Sequence, residues 1–160
     1  MSPLLRTLTI VAALGAGTVA GVFFAYSTFT MSALKRLAPA SGAAAMQSIN
    51  REAPRPPLML LMFGTAAASV AVAIPAALNL GEAASIYQLL AAAIYLVGVM
   101  AMTGTYHVPR NNRLGELDPA SEEGIAYWTT YLREWVRMNH VRTVAPLVAA
   151  ALYTIALQVD

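Results

Sequence analysis

Charged residues are spaced so that four long uncharged runs stand out along the chain. Between Arg6 and Lys35 lie 28 residues without a charge, between Arg55 and Glu82 lie 26, between Glu82 and Arg110 lie 27, and between Arg142 and Asp160 lie 17. A helix that crosses a bilayer needs about 20 apolar residues, with a range of about 17 to 25. Backbone amides in lipid must pair within their own segment, so each run is expected to be helical. The pattern predicts four spans, near Leu8–Thr30, Leu58–Leu80, Ala84–Tyr106 and His140–Leu157. Three fit comfortably, and the fourth is at the lower limit. The first run also outlasts the apolar stretch of a secretory leader, about 7–15 residues, because it continues through Phe23, Phe24 and Phe29. It is read as a retained helix. The connection at Gly81–Glu82–Ala83 is so short that spans two and three must form an antiparallel hairpin. The expected fold class is all-α: one integral membrane domain over residues 1–160, a four-helix bundle with a long cytoplasmic helical extension before the fourth span.

The basic residues orient it. Lys35, Arg36, Arg51 and Arg55 follow span one, and Arg110, Arg113, Arg133, Arg137 and Arg142 lie between spans three and four. Arg6 alone is opposite. Positive charge stays on the cytoplasmic side, so both long loops are expected inside and both termini outside a cell membrane. Composition agrees: 58% of the chain is apolar and 11% charged, against roughly 25% charged in ordinary globular domains. That excludes soluble disorder. With no cysteine, disulfide scaffolds and cysteine-ligated metal sites are excluded as well. A net charge of +2 gives no basic patch for nucleic acid. The expected partners are membrane lipid and an apolar small molecule. Ala13, Gly17, Gly21 and Ala25, four apart in span one, form a small-residue stripe that suits close helix packing or self-association.

The loops carry the chemistry. In the first, Met31–Pro57, Ser41 is a plausible N-cap and the alanines after it favour helix. A short interfacial helix is expected to end near Arg51–Glu52, and Pro54, Pro56 and Pro57 stop it from continuing. The second opens with Tyr106–His107–Val108–Pro109–Arg110–Asn111–Asn112–Arg113–Leu114. Asp118 at N-cap and Pro119 at N1 then announce a long helix that runs into span four. On that helix Trp128, Tyr131, Trp135, Asn139 and Arg142 follow one another at spacings of 3, 4, 4 and 3, a single stripe. The 17 residues after Arg142 rise about 26 Å at about 1.5 Å each, against a hydrocarbon core of about 30 Å. Arg142 therefore lies at or just inside the boundary of the core. It either snorkels to headgroups or is held by Asn139, Asn111, Asn50, backbone carbonyls or an anionic ligand. Taken alone, Asn50 reads as a surface or capping group.

His107 ends span three and His140 begins span four, close enough in sequence register to meet at the inner mouth. Either is a candidate haem ligand or proton acceptor, and each alone also reads as a hydrogen-bonded bystander. No Glu-x-x-His motif occurs and the first three spans contain no charged residue. This disfavours a carboxylate-bridged di-iron site and proton- or ion-coupled transport. No methionine–histidine cluster marks a copper site, and no metal site is assigned.

Four segments, in order, resemble one family. They are Gly21–Val22–Phe23–Phe24–Ala25–Tyr26–Ser27 continuing to Met31 and Ala33–Leu34, Ala45–Met46–Gln47–Ser48–Ile49–Asn50, Val108–Pro109–Arg110–Asn111–Asn112–Arg113–Leu114, and Trp135-x3-Asn139-x2-Arg142–Thr143. The chain resembles the anthrone oxygenase family of small four-helix membrane proteins, departing from it at Ser32, where the family often has proline. The resemblance implies a site built from Asn50, Pro109, Asn111, Trp135, Asn139 and Arg142. It also implies an O2-dependent oxidoreductase that turns an anthrone-like or hydroquinone-like substrate into its oxidised form. In that scheme His140 is the base, Arg142 with Asn139 and Asn111 stabilises an enolate or phenolate oxygen, and Trp135 stacks on the ring. The oxidation is either cofactor-free or haem-dependent, with His107 or His140 as axial ligand. The alternative is a non-catalytic membrane module that binds haem, quinone or lipid, or that stabilises a partner complex.

Overall fold

A computed structural model describes residues 1–159 as helices joined by short turns. Five helices follow one another: α1 (Pro3–Lys35), α2 (Pro39–Glu52), α3 (Pro56–Leu78), α4 (Ala83–Glu116) and α5 (Glu122–Ala156). No strand occurs among the described residues. The all-α expectation holds; five helices are present where a four-helix bundle was expected, the fifth being the short helix expected in the first loop. Three helices, α1, α3 and α4, are long and apolar enough to cross a membrane. The fourth expected span is the second half of α5, where Asn139, His140 and Arg142 dilute the apolar run.

Helix boundaries follow local chemistry. Proline occupies the first turn of α1, α2 and α3, where its missing N–H costs nothing. In α2 this moves the start from the expected Ser41 back to Pro39, with Ala38 as N-cap. The end near Arg51–Glu52 is as expected. The start of α5 moves the other way, from Asp118–Pro119 to Ser121 and Glu122. The Asp118 carboxylate accepts from the Ala120 N–H at 2.9 Å, closing a turn. Ser121 Oγ then accepts from the Gly124 N–H at 3.0 Å as the true N-cap. Gly124 lies so close to the Asp118 carbonyl that a Cβ there would strike it.

The segment expected to open a loop at Tyr106 instead continues as helix to Glu116. Pro109, lacking an N–H and crowding the carbonyl four residues back, would break an α-helix. It is accommodated because Thr103–His107 just before it is wound as a π-helix, which relieves the i–4 constraint.

The four long helices pack around a shared core: α5 lies against α1 and α4, and α3 lies against the same two. One cluster, with Ala12, Ala16, Val19, Val72, Ala91, Val99, Ala149 and Tyr153, fills the end that holds the termini and the α3–α4 turn. Most of its residues are alanine or valine, so backbones approach closely. The buried Tyr95 hydroxyl donates to the Met62 carbonyl at 3.1 Å, pinning α4 to α3. A second, aromatic cluster at the other end joins Met31, Leu34, Ala43, Met46 and Leu114 to Trp128, Tyr131 and Trp135. Both interhelical loop regions meet there.

The small-residue stripe of α1 is only partly used. A Cβ on Gly17 would lie 4.0 Å from that of Ala150, whereas one on Gly21 would meet nothing within 4 Å. The tight contacts lie elsewhere: a Cβ on Gly15 would collide with Thr65, and one on Gly98 with Ala145. Gly15→Val and Gly98→Val should each destabilise the fold by about 1–3 kcal/mol through overpacking. Gly21→Val should stay within about 0.5 kcal/mol. Thermal unfolding in detergent measures all three.

Candidate functional site

The site forms where α4 and α5 leave the small-residue core and enter the aromatic one. Two π-helical stretches, Leu96–Ala101 and Thr103–His107, interrupt α4. A π-turn takes more residues than the 3.6 of an α-turn, which slows the sideways drift of positions four apart. Tyr95, Val99 and His107 are therefore all buried, and Thr103 and Asn111 line one cavity. A third π-helical stretch, Tyr26–Thr30, lies in α1 against α5. There Ser27 turns inward toward α5.

The stripe read from the sequence is the inner face of α5. Trp128, Tyr131, Trp135, Asn139 and Arg142 are all buried. Asn139, fully buried, is the hub. Its Nδ2 donates to the Phe23 carbonyl at 2.9 Å and to Ser27 Oγ at 2.8 Å. Its Oδ1 accepts from Arg142 Nε at 3.0 Å and Nη2 at 2.6 Å. Arg142 Nη1 also donates to Thr103 Oγ1 at 3.3 Å. The guanidinium carbon lies 4.3 Å from the centre of the Phe23 ring and 5.1 Å from that of Trp135, where the ring faces favour a cation. Arg142 does not snorkel: it is 4% exposed. Thr143 extends the network by donating to the Asn139 carbonyl at 3.1 Å and approaching Ser27 Oγ at 3.3 Å.

A second polar group lies above it. Asn111 Oδ1 accepts from the Tyr131 hydroxyl at 2.7 Å and from Trp135 Nε1 at 3.0 Å. Asn50 Nδ2 reaches the Tyr131 oxygen at 3.5 Å, so α2 closes the top. Burial pushes the Tyr131 pKa above the ordinary phenol value, which keeps this hydroxyl a donor. Trp128, Tyr131 and Trp135 stack in series with ring centres 5.8 and 6.0 Å apart, making a stiff aromatic wall.

These groups border a cavity of about 390 Å³. Arg142, Thr103, Asn111, Asn50 and Trp135 form its polar side. Phe23, Tyr26, Met46, Leu58, Met59, Met62 and Met100 form the apolar remainder. Phe63 and Gly104, both exposed, lie at its edge and leave a side opening between α3 and α4. No aspartate, glutamate or histidine is among its lining residues.

Five of the expected site residues, Asn50, Asn111, Trp135, Asn139 and Arg142, are thus brought together; Asn139 stands behind the cavity and the other four line it. The histidines are not. His140 is exposed on the outer face of α5, because one residue from Asn139 is about 100° round the helix. His107 is fully buried behind Trp135, its ring packed edge-on at 5.1 Å. The two do not meet, and neither lines the cavity, so the residues present do not fit an axial ligand for a haem placed there. Among the described residues no three histidine, aspartate or glutamate side chains gather as a metal site. Sequence reasoning missed Thr103 and Gly104, which lie in an apolar run without any periodic signal. It quoted Ser27 and Tyr131 without giving them a role.

The family model for anthrone oxygenases matches residues 57–152. The chain belongs to the anthrone oxygenase family. The matched stretch holds the whole α4–α5 half of the site, from Met100 to Arg142, while Asn50 and the α1 residues lie before it. No curated protein and no solved structure matches the chain.

In this family member Asn139→Ala would strip the Arg142 guanidinium of its main acceptor. The expected cost is about 1.5–3 kcal/mol, the range for a buried hydrogen bond to a charged group, read as a lower unfolding midpoint. Asn112→Ala, at an exposed neighbour of Asn111, should leave the midpoint unchanged.

Proposed function

We propose that the protein is a four-span membrane oxidoreductase that uses O2 to oxidise a flat, apolar aromatic substrate of the anthrone or hydroquinone type. The observation that carries this reading is an apolar cavity with one buried cation on its wall and no titratable base. Large apolar side chains such as Leu14, Phe24, Phe29, Leu60, Phe63, Ile74, Val97, Val144 and Leu147 are exposed. Exposed apolar surface on this scale suits contact with lipid. The excess of basic residues at the loop end favours that end as cytoplasmic, with both termini outside. A substrate dissolved in the bilayer would reach the cavity through the side opening at Phe63 and Gly104.

Cavities of this size and makeup suit ring systems. The methylene carbon of an anthrone is acidic because its anion is an aromatic enolate. With that oxygen beside Arg142, Thr103 and Asn111, ionisation is favoured in a low-dielectric site. Arg142 has more N–H groups than its three hydrogen bonds use, so some remain for the enolate oxygen. The proton leaves to water or hydroxide, since no lining side chain is built to take it. The enolate carbon gives an electron to O2, the resulting pair combines to a peroxide anion at that carbon, which takes a proton back from water, and loss of water from the hydroperoxide leaves the carbonyl. Methylene plus O2 yields carbonyl plus H2O, and the reaction balances without a further reductant.

O2 uptake and quinone absorbance with an anthrone in detergent test the reading. Arg142→Met should lower kcat/KM by about 100-fold or more, as loss of an oxyanion donor does, with the helical circular dichroism retained. Full activity in that variant would overturn the proposal. His140→Ala should be fully active. The rate should rise with pH along the substrate's own ionisation, and a limb of the pH profile that disappears in His107→Ala or His140→Ala would return the base to a histidine.

A further inference from the structure

A second concavity, of about 510 Å³, lies on the other side of α1 and α5 from the site. Met31, Leu132 and Val136 form its floor, and Lys35 from the last turn of α1 and Arg133 from α5 line it together. Neither cation has an acidic partner among the described residues. Glu52, Glu116, Glu123 and Glu134 pair with Arg55, Arg113 and Arg110. Ser32 and Thr129 add hydroxyl groups. Their hydrogens are already spent: Ser32 Oγ donates to the Thr28 carbonyl at 2.8 Å and Thr129 Oγ1 to the Ile125 carbonyl at 3.2 Å. Both oxygens are therefore left as acceptors.

Two unpaired cations, two hydroxyl acceptors and an apolar floor define one kind of guest. We propose that this groove seats the headgroup of an anionic phospholipid that carries free hydroxyls, of the phosphatidylglycerol type. Lys35 and Arg133 hold the phosphate, which matches their charge. Ser32 and Thr129 accept from the headgroup hydroxyls, and the first acyl carbons lie on Met31, Leu132 and Val136. The inference rests on the membrane placement given above but not on the oxidation chemistry. Ser27 also lines the groove, yet it holds Asn139, so it belongs to the site and is left unaltered in the test.

The test is native mass spectrometry of the detergent-purified chain titrated with phosphatidylglycerol, phosphatidic acid and phosphatidylcholine of matched chains. Phosphatidylglycerol should be retained about tenfold better than phosphatidylcholine, as two basic residues facing one anion provide, and better than phosphatidic acid. Lys35→Ala with Arg133→Ala should bring phosphatidylglycerol down to the phosphatidylcholine level. Lys35→Arg with Arg133→Lys, which keeps both charges, should hold it. Equal retention of phosphatidylglycerol and phosphatidylcholine by the unaltered chain overturns the proposal, as does undiminished phosphatidylglycerol binding by the double alanine variant. Phosphatidic acid bound as well as phosphatidylglycerol overturns the role of Ser32 and Thr129. A chain that purifies without detergent overturns the membrane placement itself, a failure distinct from loss of lipid preference in a chain that requires detergent.

Discussion

A guanidinium taken out of water must be met by acceptors, and most of this protein's upper half is arranged to meet the one on Arg142. Asn139, one turn before it, supplies the oxygen that accepts from Nε and Nη2. Because Asn139 presents its oxygen to Arg142, its amide nitrogen must donate elsewhere, and α1 provides the Phe23 carbonyl and Ser27 Oγ. One residue thus satisfies a buried charge and joins two helices. An unpaired charge in this position would cost several kcal/mol, so the network ties the α1–α5 interface to the state of the site.

The two ends of the molecule solve different packing problems. Toward the termini, alanine, glycine and valine let the helix backbones approach closely, with Tyr95 and Gln88 as polar clasps to Met62 and Thr9. Toward the loops, tryptophan and tyrosine fill the core. The cavity sits at the junction, where the side chains change size and α4 changes its winding. That location gives it a rigid aromatic wall, a cation backed by hydrogen bonds, and an open flank on the α3–α4 side. Donors held by packing rather than by solvent are what the proposed oxyanion role requires.

Much of the site could be read along α5 because a helix maps spacing onto a face. Trp128, Tyr131, Trp135, Asn139 and Arg142 had to share one side once the segment was helical, and they do. The same rule argued against His140 joining that face, yet its chemistry made it the candidate base; the structure leaves it exposed. Thr103 and Asn111 could not be aligned by the 3.6-residue period, since π-turns in α4 change the period itself. Nor could the stripe of small residues in α1 show which glycines are pressed. Gly15 and Gly98 are fixed by Thr65 and Ala145, partners far away in sequence.

The sequence by itself determined the all-α class, the apolar runs, the clustering of basic residues at one end and the inner face of α5. Each of these follows from local composition or from periodicity along a single helix. Tertiary structure decided which helices meet. It laid the helix of the first loop over the cavity, with Asn50 in the lining, and it opposed Ser27 to Asn139 across helices whose residues lie 112 positions apart. It also hid His107 behind Trp135 and set Lys35 beside Arg133. Those outcomes depend on contacts between distant segments, whose free energy is settled only when the whole set of helices packs at once.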